Sequence, residues 1–183
     1  MVKYELIRSM RKTLSLHIRR DGSIVVKAPL TASIEYINCF INRKQNWIQN
    51  TQKKILTMKA NSQTIELSSK EEALYKMKAK EHLQLKCQLF SRIMGIQYGT
   101  IKINGARTRW GSCNSKGDIN FSYRLIFAPE DLIDYVVVHE LTHIKEMNHS
   151  ANFWAIVEET MPDYKERRKR LRDFQYSLEI VKL

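Results

Sequence analysis

Cysteine, glycine and proline are scarce in this 183-residue chain, with 3, 6 and 3 copies. Cys39, Cys87 and Cys113 are odd in number and widely spaced, and they form no C-x-x-C pair. That argues against a disulfide framework or a thiolate metal site and fits a reducing, cytoplasmic setting. So little glycine and proline excludes collagen-like and linker-dominated chains. No apolar run approaches the ~20 residues that a membrane-spanning helix needs. The opening MVKYELIRSMRK lacks the apolar stretch of a secretory signal, so no membrane partner is expected.

Acid is also in deficit, with 19 Asp and Glu against 31 Lys and Arg, a net charge of +12. Hydrophobic residues make up 43%, enough for a core, and charged residues 27%, too few for disorder. The charge is uneven. Residues 1–100 hold 18 basic and 7 acidic side chains, residues 101–164 hold 6 and 9, and residues 165–183 hold 7 and 3. A basic surface of this kind permits weak nucleic-acid contact, but no nucleic-acid motif accompanies it. A solvated surface is the simpler account. The same two readings apply to the run KERRKRLR, Lys165 to Arg172. The simpler one is a terminal helix docked by Leu171 and Phe174.

Periodicity orders the first half. Val2, Tyr4 and Leu6 alternate with polar residues and predict a strand. Leu14, Leu16 and Ile18 do the same, and Ile24, Val26 and Ala28 return after a turn at Asp21-Gly22, which predicts a β-hairpin. Ser33 is placed to cap one helix reaching about Ile55, with Ile34, Ile37, Phe40, Ile41, Trp47 and Ile48 inward. Residues 57–69 are polar and predict a loop. Ser69 with Glu72, or Ser68 with Glu71, makes a capping box for a long helix. Its expected inward residues are Leu74, Met77, Leu83, Leu89, Phe90 and Ile93, and Gly95 is its expected C-cap.

The second half predicts a strand at Thr100 to Ile103, a turn at Asn114 to Gly117, and a strand from Ile119 through Phe121 and Tyr123 towards Ile126. Pro129 suits a helix start, with Glu130 and Asp131 near its positive end. Val136, Val137 and Val138 are poor helix formers, so burial must hold a helix there.

That helix carries His139-Glu140-Leu141-Thr142-His143. Two histidines four residues apart lie one turn apart on one face, ~6 Å along the axis. Both rings can converge on one Zn²⁺ at ~2.0–2.1 Å. Glu140 lies ~100° further round, free to act on water rather than bind the ion. This is the H-E-x-x-H logic of a zinc protease. With five His and 13 Glu in the chain, chance produces the pattern at roughly the 1% level. A catalytic zinc needs a third ligand. His149 is the leading candidate, and Glu158 and Glu159 compete. Reaching His149 requires the helix to end soon after His143. The metzincin pattern uses a glycine for that bend. Glu146 stands there instead, which leaves Asn148, tolerant of left-handed backbone, as the expected pivot. His17 and His82 are expected to be partnerless, and Cys113 a small buried residue rather than a ligand or nucleophile.

The segments TRWGSC, APEDLIDYVVVHELTH and NHSANFW, with RSMRKTLSLHIRRDGSIVVKAP before them, resemble the YgjP-like family of zinc metallopeptidases. That family is allied to the SprT-like and other minimal zincins. The resemblance covers nearly the whole chain. It implies a zincin core with His139, His143 and His149 on the metal and Glu140 as the catalytic acid.

The expected fold is therefore α+β, a zincin-like catalytic core with an N-terminal β-hairpin/helix lobe. The hairpin and helical lobe spans residues 1–98 and the catalytic lobe 99–183, within one compact domain. The expected activity is zinc-dependent hydrolysis of peptide bonds in a peptide or protein substrate. Zn²⁺ activates a water, and Glu140 is the general base and then the proton donor. Arg109, Tyr123 and Tyr164 are candidate oxyanion or substrate contacts. The strand from Ile119 to Ile126 is expected to be an edge that pairs with extended substrate. Phe153 and Trp154 are expected to anchor the third ligand. The rival reading is a nucleic-acid-associated protein whose zinc is structural or vestigial. Hydrolysis of a non-peptide amide would use the same water activation.

Overall fold

Alternating apolar residues build the first sheet, as their period demands. The computed structural model describes residues 2–19, 21–60 and 62–183. Strand β2 (Ser15–Ile18) pairs antiparallel with β3 (Ile24–Pro29), Leu16 opposite Val26 and Ile18 opposite Ile24. Gly22, at φ +82°, makes the turn that only glycine adopts freely. Strand β1 (Glu5–Ser9) adds to the other side of β3, in parallel. It starts three residues later than the apolar alternation does, but Val2, Tyr4 and Leu6 still pack on the core.

The single helix expected over 34–55 is two. Helix α1 (Ile34–Arg43) is capped by the Ser33 hydroxyl, which accepts from the Tyr36 N–H, and it stops at Lys44. Helix α2 (Gln45–Ala60) follows at once. Ile37, Ile41, Ile48 and Ile55 face the sheet, whereas Ile34 and Trp47 are exposed. The buried isoleucines keep a seven-residue spacing across the break at Lys44, and Trp47, next to Ile48, falls off that stripe. The expected loop over 57–69 contains a strand, β4 (Gln63–Leu67), paired with the C-terminal β8 (Leu178–Lys182). Local periodicity could not show that partner, because it lies more than a hundred residues away.

The chain divides into two compact units, Met1–Gln63 with Tyr176–Glu179, and Thr64–Gln175 with Ile180–Leu183. The division thus falls at 63/64 rather than 98/99. The long helix α3 (Ser69–Met94) belongs with the second unit, where it packs on helix α4 (Glu130–Lys145) and strand β5 (Ile101–Asn104). Of the two capping boxes the earlier forms. The Ser68 hydroxyl accepts from the Glu71 N–H, and the Glu71 carboxylate accepts from the Ser68 N–H at 2.8 Å. Gly95 closes the helix at φ +62°. The buried face of α3 is Ala79, Leu83 and Cys87. Leu74, Met77, Leu89 and Ile93 are exposed, contrary to expectation. Ala79, Leu83 and Cys87 lie four residues apart, so α3 buries only a narrow stripe.

The second unit's sheet has the order β5-β7-β6. Strand β7 (Ile119–Ser122) runs parallel to β5 and antiparallel to β6 (Gly111–Cys113). The alternation through Tyr123 does not continue as strand. A 3₁₀ turn over Tyr123–Phe127 leads to Pro129, the N-cap of α4. Val137 and Val138 are fully buried, so burial overrides their weak helix propensity. Helices α5 (Ala151–Thr160) and α6 (Tyr164–Ser177) complete an α+β fold. Among the described residues no helix is long and apolar enough to cross a membrane.

Candidate active site

Helix α4 presents His139 and His143 one turn apart, with ring centroids 5.0 Å apart and planes at 90°. It ends at Lys145, two residues beyond His143, with Glu146 extended at φ −140°. No residue other than glycine has positive φ among those described, so Asn148 is not a left-handed pivot. The chain bends instead at Met147 and Asn148, just past the extended Glu146, whose carbonyl lies 3.2 Å from His143 Nδ1. That contact holds the ring with Nε2 free to bind, as outer-shell partners do at metal sites. Lys145, the last residue of α4, donates to the Met94 carbonyl at the end of α3, 3.1 Å away.

The bend delivers His149 immediately before α5, whose N-cap is Ser150. Its ring centroid is 4.9 Å from His139 and 4.7 Å from His143. One nitrogen of each imidazole lies within 4.8 Å of the others. His149 Nε2 and His139 Nε2 are 3.0 Å apart, near the ~3.3 Å between two nitrogens sharing a tetrahedral ion at ~2.0–2.1 Å. This donor set fits one divalent cation. Burial, then the neighbouring imidazoles and Arg168, lower the His139 pKa to about 3, which keeps a neutral ring available as a ligand. His149 is lowered by burial and by His143 and Arg168. Phe153, fully buried, stands 4.9, 4.6 and 4.7 Å from the centroids of His139, His143 and His149. It is a common wall for all three. Trp154 stacks on His149 at 5.6 Å and on Tyr164 at 5.3 Å.

Glu140 is 5% exposed, and its Oε2 is buried without a hydrogen-bond partner. Burial raises its pKa to about 8, against a lowering by Arg109. Strand β6 crosses closely above it. A Cβ on Gly111 would sit 2.6 Å from Glu140 Cγ and Oε1. Glycine is needed here for space rather than for its torsion angles. A cavity of about 260 Å³ opens beside this carboxylate and His139, floored in part by Trp110 and Tyr135.

The other predicted residues separate clearly. Arg109 lines the cavity. Tyr123 does not. It heads the 3₁₀ turn and faces Glu72 and Arg107 in a second cavity. Tyr164 is buried against Trp154 and likewise stays out of the first cavity. Glu158 is exposed and pairs with Lys165, and Glu159 is exposed too. Neither belongs to the imidazole cluster. Cys113 is held as a thiol, its pKa pushed up to about 11 by burial, then by Glu140 and Asp118. His82 is not partnerless. Its Nε2 lies 3.2 Å from the Glu130 carboxylate, and His17 Nε2 lies 3.0 Å from the Ser15 hydroxyl.

The strand expected to receive substrate is β7, but it is central, flanked by β5 and β6. An interior strand has no backbone groups to offer. The edge beside Glu140 is β6. Its register with β7 leaves the peptide groups of Gly111 and Cys113 pointing away from the sheet, because the pairs at Trp110 and Asn114 carry the ladder bonds. Sequence reasoning missed Tyr135, four residues before His139 and so on the same face of α4. Its ring is 5.9 Å from that imidazole, and it lines the cavity.

No curated protein matches the chain. Among solved structures, the metallopeptidase zymogen of Pyrococcus abyssi abylysin is 24% identical, with a TM-score of 0.48 over 54% of this chain and 99% of that one. The metallopeptidase zymogen of Methanocaldococcus jannaschii jannalysin is 18% identical, with a TM-score of 0.44 over 49% and 92%. A Wss1 mutant from Saccharomyces cerevisiae is 18% identical, with a TM-score of 0.42 over 60% and 96%. The family model described as YgjP-like, metallopeptidase domain, matches residues 12–76 and 56–174. The chain therefore belongs to the YgjP-like metallopeptidase-domain family.

Proposed function

We propose that this chain is a zinc-dependent peptidase, with His139, His143 and His149 holding the ion and Glu140 moving the proton. The observation that carries this reading is the convergence of three imidazole nitrogens within 4.8 Å, next to a buried and unpartnered carboxylate. A bound ion of this kind supplies Lewis acidity, which acidifies water and polarises a carbonyl oxygen. Three neutral imidazoles suit zinc and leave one coordination position open.

Everything else falls to the protein. Glu140 accepts the proton of the attacking water and passes it to the departing amine. Burial raises this carboxyl to about 8 in the ion-free chain, which makes its carboxylate form a stronger base than an exposed one. Its Oε2 has no hydrogen-bond partner among the described residues, so no protein group competes for the proton it carries. Arg109 and Tyr135 line the cavity beside it, placed to donate to an oxygen that gains negative charge. The outward peptide groups of Gly111 and Cys113 on β6 are placed to align an extended chain by strand addition.

The test is Glu140→Gln with zinc analysis. The variant should bind the ion stoichiometrically, as wild type does, and lose at least ~100-fold in kcat on a general peptide substrate. Equal turnover by the two proteins would remove Glu140 from the reaction. An ion bound by both, with no hydrolysis by either, would favour a structural metal.

A further inference from the structure

The cavity beside Glu140 is lined by three guanidinium groups. Arg109 precedes β6, and Arg168 and Arg172 stand one turn apart on α6. Their neighbours on α6 are neutralised within the unit. Arg170 makes a two-pronged pair with Asp131, and Arg167 binds Asp163 at 2.8 Å. Among the described residues no carboxylate pairs with Arg168 or Arg172. Arg168 lies over the Trp154 ring, 4.6 Å from its centroid, which fixes its position without cancelling its charge. Among the described residues the sole carboxylate lining this space is Glu140, whose charge is met by Arg109. Trp110 and Leu171 contribute apolar wall, and such a surface strengthens the pull of the cations on a desolvated anion.

A concave space in which Arg168 and Arg172 have no carboxylate partner among the described residues selects an oxyanion. We propose that this cavity is an anion subsite, which receives a carboxylate or phosphoryl group carried by a substrate side chain next to the scissile bond. The inference rests on the peptidase reading and adds the substrate class. Guanidinium groups bind both oxyanions through paired N–H donors. Neither source requires a rearrangement of α6, whose Arg168 and Arg172 already face the cavity.

The test uses the zinc-loaded full chain and matched octapeptides that vary one position on either side of a fixed cleavage site. The residue there is Glu, Gln, Lys, phosphoserine or Ser. A preference in kcat/KM of about 10- to 100-fold for Glu over Gln, or for phosphoserine over Ser, supports the subsite, and the larger ratio identifies the source. Arg172→Gln should reduce that ratio, and the double substitution Arg168→Glu with Arg172→Glu should turn the preference towards Lys. A purely structural role would not reverse selectivity. Hydrolysis with equal kcat/KM for all five peptides overturns the subsite and leaves the peptidase reading standing.

Binding supplies a second arm, independent of turnover. Calorimetry on the zinc-loaded Glu140→Gln protein should show tighter binding of the acidic peptides, and Arg172→Gln should narrow the difference. Direct capture of the carboxylate by zinc would not respond to Arg172. Equal binding of acidic and neutral peptides overturns the subsite. Selective binding without any hydrolysis by wild type supports the subsite and overturns the peptidase reading.

Discussion

At the scale of single residues, the site is a contest between burial and charge. Glu140 holds its proton to about pH 8 in the folded chain. The unfolded chain releases it near ~4.3. Folding therefore takes up a proton between those values, and Glu140's contribution to stability, complete below the lower one, is lost as pH rises through the upper. His139 has the opposite sign. Its folded pKa of about 3 lies below the unfolded ~6.5. Its contribution is present above the unfolded value and is lost as pH falls towards the folded one. The two oppose each other at intermediate pH, so the window from ~6.5 to ~8 isolates Glu140. Urea unfolding of ion-free protein across that window should show wild type losing up to about 1.4 kcal/mol per pH unit. Glu140→Gln, which cannot ionise, should lack that slope, and parallel slopes would contradict the burial assigned to this side chain.

The secondary-structure elements show two glycines doing different work. Gly95 ends α3 at φ +62°, and a Cβ added there would meet nothing within 4 Å. Gly95→Ala should therefore cost about 1 kcal/mol through backbone strain alone, read as a lower urea midpoint with unchanged zinc binding. Gly111 has ordinary torsions but sits where β6 meets α4. Gly111→Ala would drive its methyl into the Glu140 side chain, 2.6 Å from Cγ. The expected result is a kcat loss of about 10- to 100-fold with a stability cost of about 1–3 kcal/mol. Full activity in the alanine variant would mean that the strand and helix can separate without disturbing the carboxylate. The capping box at Ser68 and Glu71 is a third element-scale device. Removing it by Ser68→Ala should cost about 1 kcal/mol by thermal unfolding.

For the molecule as a whole, the three converging imidazoles come from either side of the bend at the end of α4, so an ion held by them would couple its binding to folding. An ion that binds only the folded arrangement stabilises it by about 2.7 kcal/mol at a free concentration 100 times its Kd. Zinc should raise the melting temperature of wild type, and a chelator should reverse the shift. His149→Ala and His143→Ala should each abolish most of that rise, because each removes one of the three converging nitrogens. An unchanged zinc-induced shift in His149→Ala would show that the residue beyond the bend is not a ligand. The net charge of +12 is largely a property of residues 1–100. In α6, by contrast, Arg167 and Arg170 are engaged with carboxylates, so its basic run is less available to an external polyanion than its composition implies.

By itself the sequence determined whatever depends on local spacing. The i, i+4 interval set His139 and His143 on one face, a capping box in one of two adjacent registers started α3, Gly95 ended it, and strict alternation made the β2–β3 hairpin. These follow from helical and strand periods of 3.6 and 2, which short stretches of chain carry within themselves. Tertiary structure decided the rest. Whether β7 or β6 is the edge depends on β5, a separate segment of the chain. The pairing of β4 with β8 joins distant segments in the same way. Tyr123 left the site because a 3₁₀ turn ended its strand. Tyr135, Arg168 and Arg172 entered the cavity because α4 and α6 line it together. No local period encodes which helix face meets which, since that choice is made by the packing of side chains far apart in the chain.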